Sequence, residues 1–219
     1  MSAPRIKICG LKDAGTIRAM DGLPIHEIGF VFAPSKRQVT PETAASLIRE
    51  VHALKGAGGE RPLAAGVFVN AEFERLRELL AVAPLDIVQL HGEESPSLCR
   101  SIRSGLNVRV WKVFSVGESG DEAAERIRPY AGSVDAVLID TAGGGTGKPF
   151  DWEQIEAYKA AARSIGVPLY VAGGLNPDNA DRLVRDYAPD GIDVSSGVET
   201  EGQKDIHKIR LFVQKVVER

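Results

Sequence analysis

Three short apolar runs end in side chains that can exchange protons. Cys9 ends "RIKIC" (5–9), His91 ends "DIVQLH" (86–91) and Asp140 ends "DAVLID" (135–140). A thiol becomes a usable base when nearby positive charge lowers its pKa from about 8.5. A carboxyl serves as an acid near neutrality only where burial raises its pKa. Asp140 follows Val137-Leu138-Ile139, a run able to desolvate it, and Lys7 stands two residues before Cys9. The bland alternatives are an inert buried thiol, a loop-capping aspartate and a hydrogen-bonded structural histidine. After Asp140 comes the glycine-rich "TAGGGTGKPFDW" (141–152). It is a poor P-loop. Ala142 stands where that pattern needs its first glycine, and Pro149 where it needs the Ser or Thr that holds magnesium. Its glycines suit a loop that moves over a ligand, with no nucleotide implied.

The elements that must position these residues are legible as alternation. Eight apolar runs recur: 5–9, 27–32, 63–69, 86–91, 108–114, 135–140, 168–172 and 191–195. They are rich in Val and Ile and mostly lack polar alternation, the pattern of strands buried on both faces. Helical patterns separate them. Ala44, Leu47, Ile48 and Val51 recur at helical spacing behind Thr40 and Pro41, as do Leu76, Leu79, Leu80 and Ala83. Further helices fit 13–21, 94–104, 121–130, 152–164, 176–187 and 205–217. Eight strand–helix units predict an α/β fold, a (β/α)8 barrel of the TIM type, as one domain over 1–219. The rival open sheet would want a dinucleotide fingerprint after its first strand, where "ICGLKDAG" stands.

In such barrels the active site lies at the C-terminal ends of the strands. Those ends read Cys9, Phe32, Asn70, His91, Phe114, Asp140, Ala172 and Ser195. Alternation places Lys7 and Cys9 on the interior face, with Ile6 and Ile8 toward the helices. It pairs Gln89 with His91 in the same way. After strand seven come Gly173-Gly174, then Asn176 as a helix cap and Pro177 in the first turn. After strand eight come Ser195-Ser196-Gly197. Loops at these two places, with a short helix, commonly hold phosphate through backbone N–H groups. The alternative is two tight turns that need glycine only for positive φ.

Composition narrows the partners. A net charge of −3 gives no reason to expect nucleic acid or an anionic membrane. Cys9 and Cys99 make neither a disulfide framework nor a zinc spacing, so no metal is expected, and Cys99 reads as packing. No apolar run approaches the roughly 20 residues of a membrane span. The opening residues lack the charged-then-apolar pattern of a signal peptide, so a reducing, cytoplasmic setting is expected.

The ordered motifs "KICG" (7–10), "GFVF" (29–32), "SKR" (35–37), "GVFVN" (66–70), "VQLHGEE" (88–94), "GGTGKPFDW" (144–152), "AGGLNPDN" (172–179), "DVSSGVE" (193–199) and "GQKD" (202–205) run through the whole chain. As a set they resemble the phosphoribosylanthranilate isomerases of tryptophan biosynthesis. The resemblance implies an Amadori rearrangement of a phosphorylated aminoaldose, without metal or redox cofactor, in a monomer or homodimer. It implies Cys9 as general base, Asp140 as general acid and Arg37 as the holder of the anthranilate carboxylate. Gln89 and His91 would line the site, and Gly173, Gly174, Ser195, Ser196 and Gly197 would hold the phosphate. Two positions depart from the common pattern: Lys12 for Thr and Gln38 for Tyr. The alternatives are a catalytically silent phosphosugar-binding barrel and a related phosphate-binding enzyme such as indole-glycerol-phosphate synthase.

Overall fold

Eight short apolar runs form eight parallel strands that close on themselves. The structure, a computed structural model, describes residues 3–116, 122–141 and 151–218. The strands are β1 (Arg5–Cys9), β2 (Glu27–Val31), β3 (Leu63–Phe68), β4 (Ile87–Leu90), β5 (Arg109–Val116), β6 (Ala136–Thr141), β7 (Leu169–Val171) and β8 (Gly191–Val194). Closure is direct: β1 pairs with β2 on one side and with β8 on the other. A helix follows each strand: α1 (Ala14–Ala19), α2 (Pro41–Ala53), α3 (Phe73–Val82), α4 (Pro96–Gly105), α5 (Ala123–Ile127), α6 (Ile155–Ser164), α7 (Ala180–Tyr187) and α8 (Ile206–Val217). A two-residue ribbon, β9 (Glu199–Thr200) with β10 (Gln203–Lys204), is inserted between β8 and α8. No helix among the described residues is long and apolar enough to cross a membrane.

The strand period of two divides the core. Ile6, Ile8, Ile28, Phe30, Val88 and Leu90 point outward and pack beneath the helices. Ala65, Ile87, Trp111, Val113, Ala136, Leu138 and Tyr170 form a separate cluster inside the barrel. Arg5, Glu27 and Tyr170 join that interior near the strands' N-terminal ends, with Arg5 Nε donating to Glu27 Oε1 at 2.8 Å and to the Tyr170 hydroxyl at 3.0 Å. Arg5, Glu27 and Tyr170 thus fill the interior at its lower end.

Helix α2 begins as its sequence dictates. The Thr40 hydroxyl accepts from Thr43 N, Pro41 sits in the first turn, and Ala44, Leu47, Ile48 and Val51 are buried. Helix α7 does not begin where its sequence suggests. Asn176 Oδ1 accepts from Asp178 N at 2.8 Å, and Asn176 N donates to Asn179 Oδ1 at 2.9 Å. These local bonds compete with the helix and delay it to Ala180, so Asn176 is not its cap. The region 121–130 is shorter than a full helix: α5 gives way to a 3-10 turn at Arg128–Tyr130, and residue 121 lies outside the described residues. A 3-10 turn at Trp152–Gln154 likewise precedes α6.

Candidate active site

The C-terminal strand ends surround a cavity of ≈ 450 Å³. Of the eight strand-end residues named above, Cys9, His91, Asp140, Ala172 and Ser195 line it. Phe32, Asn70 and Phe114 do not. Phe32 stacks on Phe68 at 4.9 Å between ring centroids, and Phe114 packs edge-on against Tyr130. Asn70 takes a left-handed φ of 52° and accepts from Glu93 N. The reason is parity. Strand β5 runs on to Val116, so its last inward residue is Ser115, which lines the cavity in place of Phe114.

Cys9 is 7% exposed and closes the inward row Arg5, Lys7, Cys9 of β1. A Cβ on its register partner Gly29 would stand 2.7 Å from the thiol sulfur, so a bare residue is required there. Lys7, fully buried, donates to Asp193 Oδ2 at 2.8 Å. Lys7 does pull the Cys9 pKa down, as expected, but the expected net lowering is corrected. Burial pushes the thiol up; Lys7 opposes it, but the Asp193 carboxylate adds to the rise, and the net shift is upward.

Asp140, on β6, is 8% exposed. Burial raises its carboxyl to about 6, against the pull of a 2.7 Å bond from Thr141 N to Oδ1. The nearby Asp193 charge pushes in the same direction as burial. A Cβ on Gly173 would collide with Thr141 and stand 3.1 Å from Asp140 Oδ1, so the bare Gly173 leaves space for the carboxyl. His91 Nε2 lies 3.8 Å from Asp140 Oδ2, too long for a hydrogen bond. Burial, then the charge of Lys112, lowers the His91 pKa, so the imidazole is neutral at neutral pH.

Arg37 sits in the loop after β2 and lines the cavity. Its guanidinium is not free. Nε and Nη2 donate to the two oxygens of Glu199 at 2.7 and 3.0 Å. Lys204 Nζ donates to the same Glu199 at 2.6 Å and to Ser195 O at 2.9 Å. Burial alone would raise the Glu199 pKa, but Arg37 and Lys204 outweigh it and hold the carboxyl at about 2. The two departures from the family pattern brace the same loop: Lys12 Nζ donates to Lys36 O and Gln38 Nε2 to Phe32 O. Neither lines the cavity.

The turns after β7 and β8 meet at the rim, the β8 turn lying beside Arg37 through Glu199. Gly173 and Gly174 take φ of 89° and 66°, which a side chain would resist. Asn179 Nδ2 donates to Gly174 O at 3.0 Å and fixes the turn. The backbone N–H groups of Gly173 and Gly174 bond to no other described residue. Ser195 and Ser196 line the cavity beside them, the latter opening a 3-10 turn at Ser196–Val198. Gly197 does not reach the cavity. It abuts the Leu175 carbonyl, where a Cβ would collide, and so brings the two turns together. Gln89 and Asp193 also line the cavity, and Gln89 Oε1 and Asp193 Oδ1 are buried without a hydrogen-bond partner. Asp193, Glu199 and Lys204 carry no catalytic signal of their own in the sequence, although the first two fall within "DVSSGVE" and the third within "GQKD". The glycine-rich loop 142–148 lies outside the described residues.

Fold and site together define a class: a (β/α)8-barrel enzyme whose mouth sets a thiol, a raised carboxyl and an arginine around one cavity. A sequence model of the N-(5'-phosphoribosyl)anthranilate (PRA) isomerase family matches residues 6–215. The N-(5'-phosphoribosyl)anthranilate isomerase of Brevibacillus brevis is 44% identical over 216 residues, covering 97% of this chain and 93% of its own. A crystal structure of dimeric phosphoribosylanthranilate isomerase from Thermotoga maritima, in mutually generated monomers, superimposes with a TM-score of 0.80. It is 32% identical and covers 99% of this chain and 100% of its own. A phosphoribosylanthranilate isomerase in complex with reduced 1-(o-carboxyphenylamino)-1-deoxyribulose 5-phosphate gives 0.79 at 33% identity, with the same coverage. The chain belongs to the N-(5'-phosphoribosyl)anthranilate isomerase family and is an isomerase of tryptophan biosynthesis.

Proposed function

We propose that residues 1–219 work as a single-domain cytoplasmic enzyme that converts N-(5'-phosphoribosyl)anthranilate to 1-(2-carboxyphenylamino)-1-deoxyribulose 5-phosphate, with Asp140 as general acid and Cys9 as general base. The observation that carries the assignment is a carboxyl raised to about 6, lining the same cavity as the only cysteine at a strand end. A proton must reach the furanose ring oxygen before the ring can open. Asp140 retains one closer to neutrality than an ordinary aspartate does. Ring opening gives a protonated Schiff base. Its positive charge, formed beside Cys9, favours the thiolate over the thiol, whose proton passes to solvent and is made good when Asp140 is reprotonated at the end of the cycle. The thiolate then removes the C2 proton, and the resulting enolamine tautomerises to the ketone.

The two ends of the substrate fix its direction. The phosphate sits on the Gly173-Gly174 and Ser195-Ser196 turns, where unpaired N–H groups supply donors. The anthranilate carboxylate reaches Arg37. Between them, Gln89 Oε1 and Asp193 Oδ1 accept from sugar hydroxyls, which answers their lack of partners within the protein. The neutral His91 borders Asp140 and excludes water without taking its proton.

The test is conversion of freshly made N-(5'-phosphoribosyl)anthranilate by the purified protein, followed as loss of substrate fluorescence and identification of the ketose product. A protein that binds the reduced product but leaves the substrate unchanged is a silent phosphosugar-binding barrel, and the proposal fails.

A further inference from the structure

We infer that Glu199 is a positioning residue for Arg37, holding one edge of the guanidinium and leaving the other for the substrate carboxylate. The inference rests on the substrate reading above. Glu199 engages Nε and Nη2 at 2.7 and 3.0 Å. Of the five guanidinium N–H groups, this uses two. Nη1 has no hydrogen-bond partner among the described residues. The arginine stem is also confined, because a Cβ on Gly10 would stand 2.6 Å from Arg37 Cδ. Arg37 is thus confined at both ends, by Gly10 just after β1 and by Glu199 after β8.

Glu199 is itself anchored. Lys204 Nζ donates to its Oε1 at 2.6 Å, and Lys208 Nζ donates to its backbone oxygen at 2.7 Å. The β9–β10 ribbon pairs Glu199 directly with Lys204. Two cations around one anion leave the trio with one net positive charge. The site therefore still attracts a carboxylate while the arginine is already held in place. A pre-oriented fork loses less side-chain freedom on binding than a free one.

Charge and orientation make opposite predictions for Glu199→Gln. Removing the anion adds positive charge, so attraction alone predicts tighter binding of a carboxylate. Positioning predicts weaker binding, because Arg37 loses its charged brace. The measurement is the affinity of the reduced product analogue and of the same analogue lacking its carboxylate, for wild type and Glu199→Gln. The expected result is that the carboxylate-bearing analogue weakens about tenfold in Glu199→Gln while the carboxylate-free one is unchanged, with KM rising more than kcat falls. In an Arg37→Ala background the same change has no further effect. Equal weakening of both analogues assigns Glu199 to the shape of the β8 turn and overturns the inference. So does an unchanged or tightened carboxylate ligand. If Glu199→Gln does not fold, Glu199→Asp keeps the charge that Lys204 needs but is one methylene too short to reach both partners. The same selective loss is expected, and the same outcomes overturn it. A wild-type protein with no preference for the carboxylate overturns this inference and the substrate reading together. A preference that survives the Glu199 variants overturns the inference alone.

Discussion

Lys7 and Asp193 are register partners on adjacent strands, and their side chains pair at 2.8 Å one interior position below Cys9. The lysine charge is therefore shared with a carboxylate before it reaches the thiol. Burial raises the Cys9 pKa, and Lys7, with Asp193 beside it, does not reverse the rise. Alkylation of Cys9 followed against pH by mass spectrometry reads this directly. The midpoint is expected above that of an ordinary thiol. In Asp193→Asn the unshared Lys7 charge moves it down. A wild-type midpoint below the ordinary value would contradict the pairing argument.

Asp140 links chemistry to stability. Folded, it keeps its proton up to about pH 6; unfolded, only to about its ordinary 3.8. Its contribution to stability is thus fully present below 3.8 and lost as pH rises through 6. At about 1.4 kcal/mol per tenfold change in proton affinity, the folded protein gives up about 3 kcal/mol by neutral pH. Asp140→Asn keeps an oxygen for Thr141 N and carries no charge. Denaturant unfolding at pH 8 is expected to show the variant more stable by about 2–3 kcal/mol, with the difference vanishing near pH 4. A variant less stable than wild type at pH 8 would mean the carboxylate is held by interactions that outweigh its burial.

Much of this was legible in the sequence because parallel strands buried on both faces read as unbroken apolar runs. All eight runs became strands within two residues of their expected ends. Period two also put Lys7, Cys9, Gln89 and His91 on the correct face. What one dimension hides is pairing across the barrel. Lys7 meets Asp193 from the far end of the chain, and nothing local to either announces it. Arg37 reads as a free arginine until Glu199 is brought against it. Phe114 reads as a strand end because the apolar run stops there, yet the strand continues through Ser115 to Val116. Asn176-Pro177 carries a helix-start signal that Asn179 overrules with its own side chain.

The two proposed substrate anchors are separable by experiment. Gly174 has a φ of 66°, so a branched residue there would strain the fold and confuse the result. Asn tolerates that conformation, and its side chain would still crowd the phosphate. Gly174→Asn is expected to weaken inorganic phosphate and the reduced product alike. Arg37→Ala should leave inorganic phosphate binding intact and weaken the reduced product by about 2–3 kcal/mol. Titration of both variants with both ligands by calorimetry checks the map. Loss of phosphate binding in Arg37→Ala, or none in Gly174→Asn, would reverse it.

The most direct test of the account is single-turnover decay of substrate fluorescence in Cys9→Ser and Asp140→Asn, each first shown to bind the reduced product. Both variants keep the phosphate and carboxylate anchors, so binding should change little. The rate of the chemical step is expected to fall by about 10²–10⁴-fold in each. Near-wild-type decay in either folded variant would remove that residue from the proton transfers and contradict the assignment of acid and base.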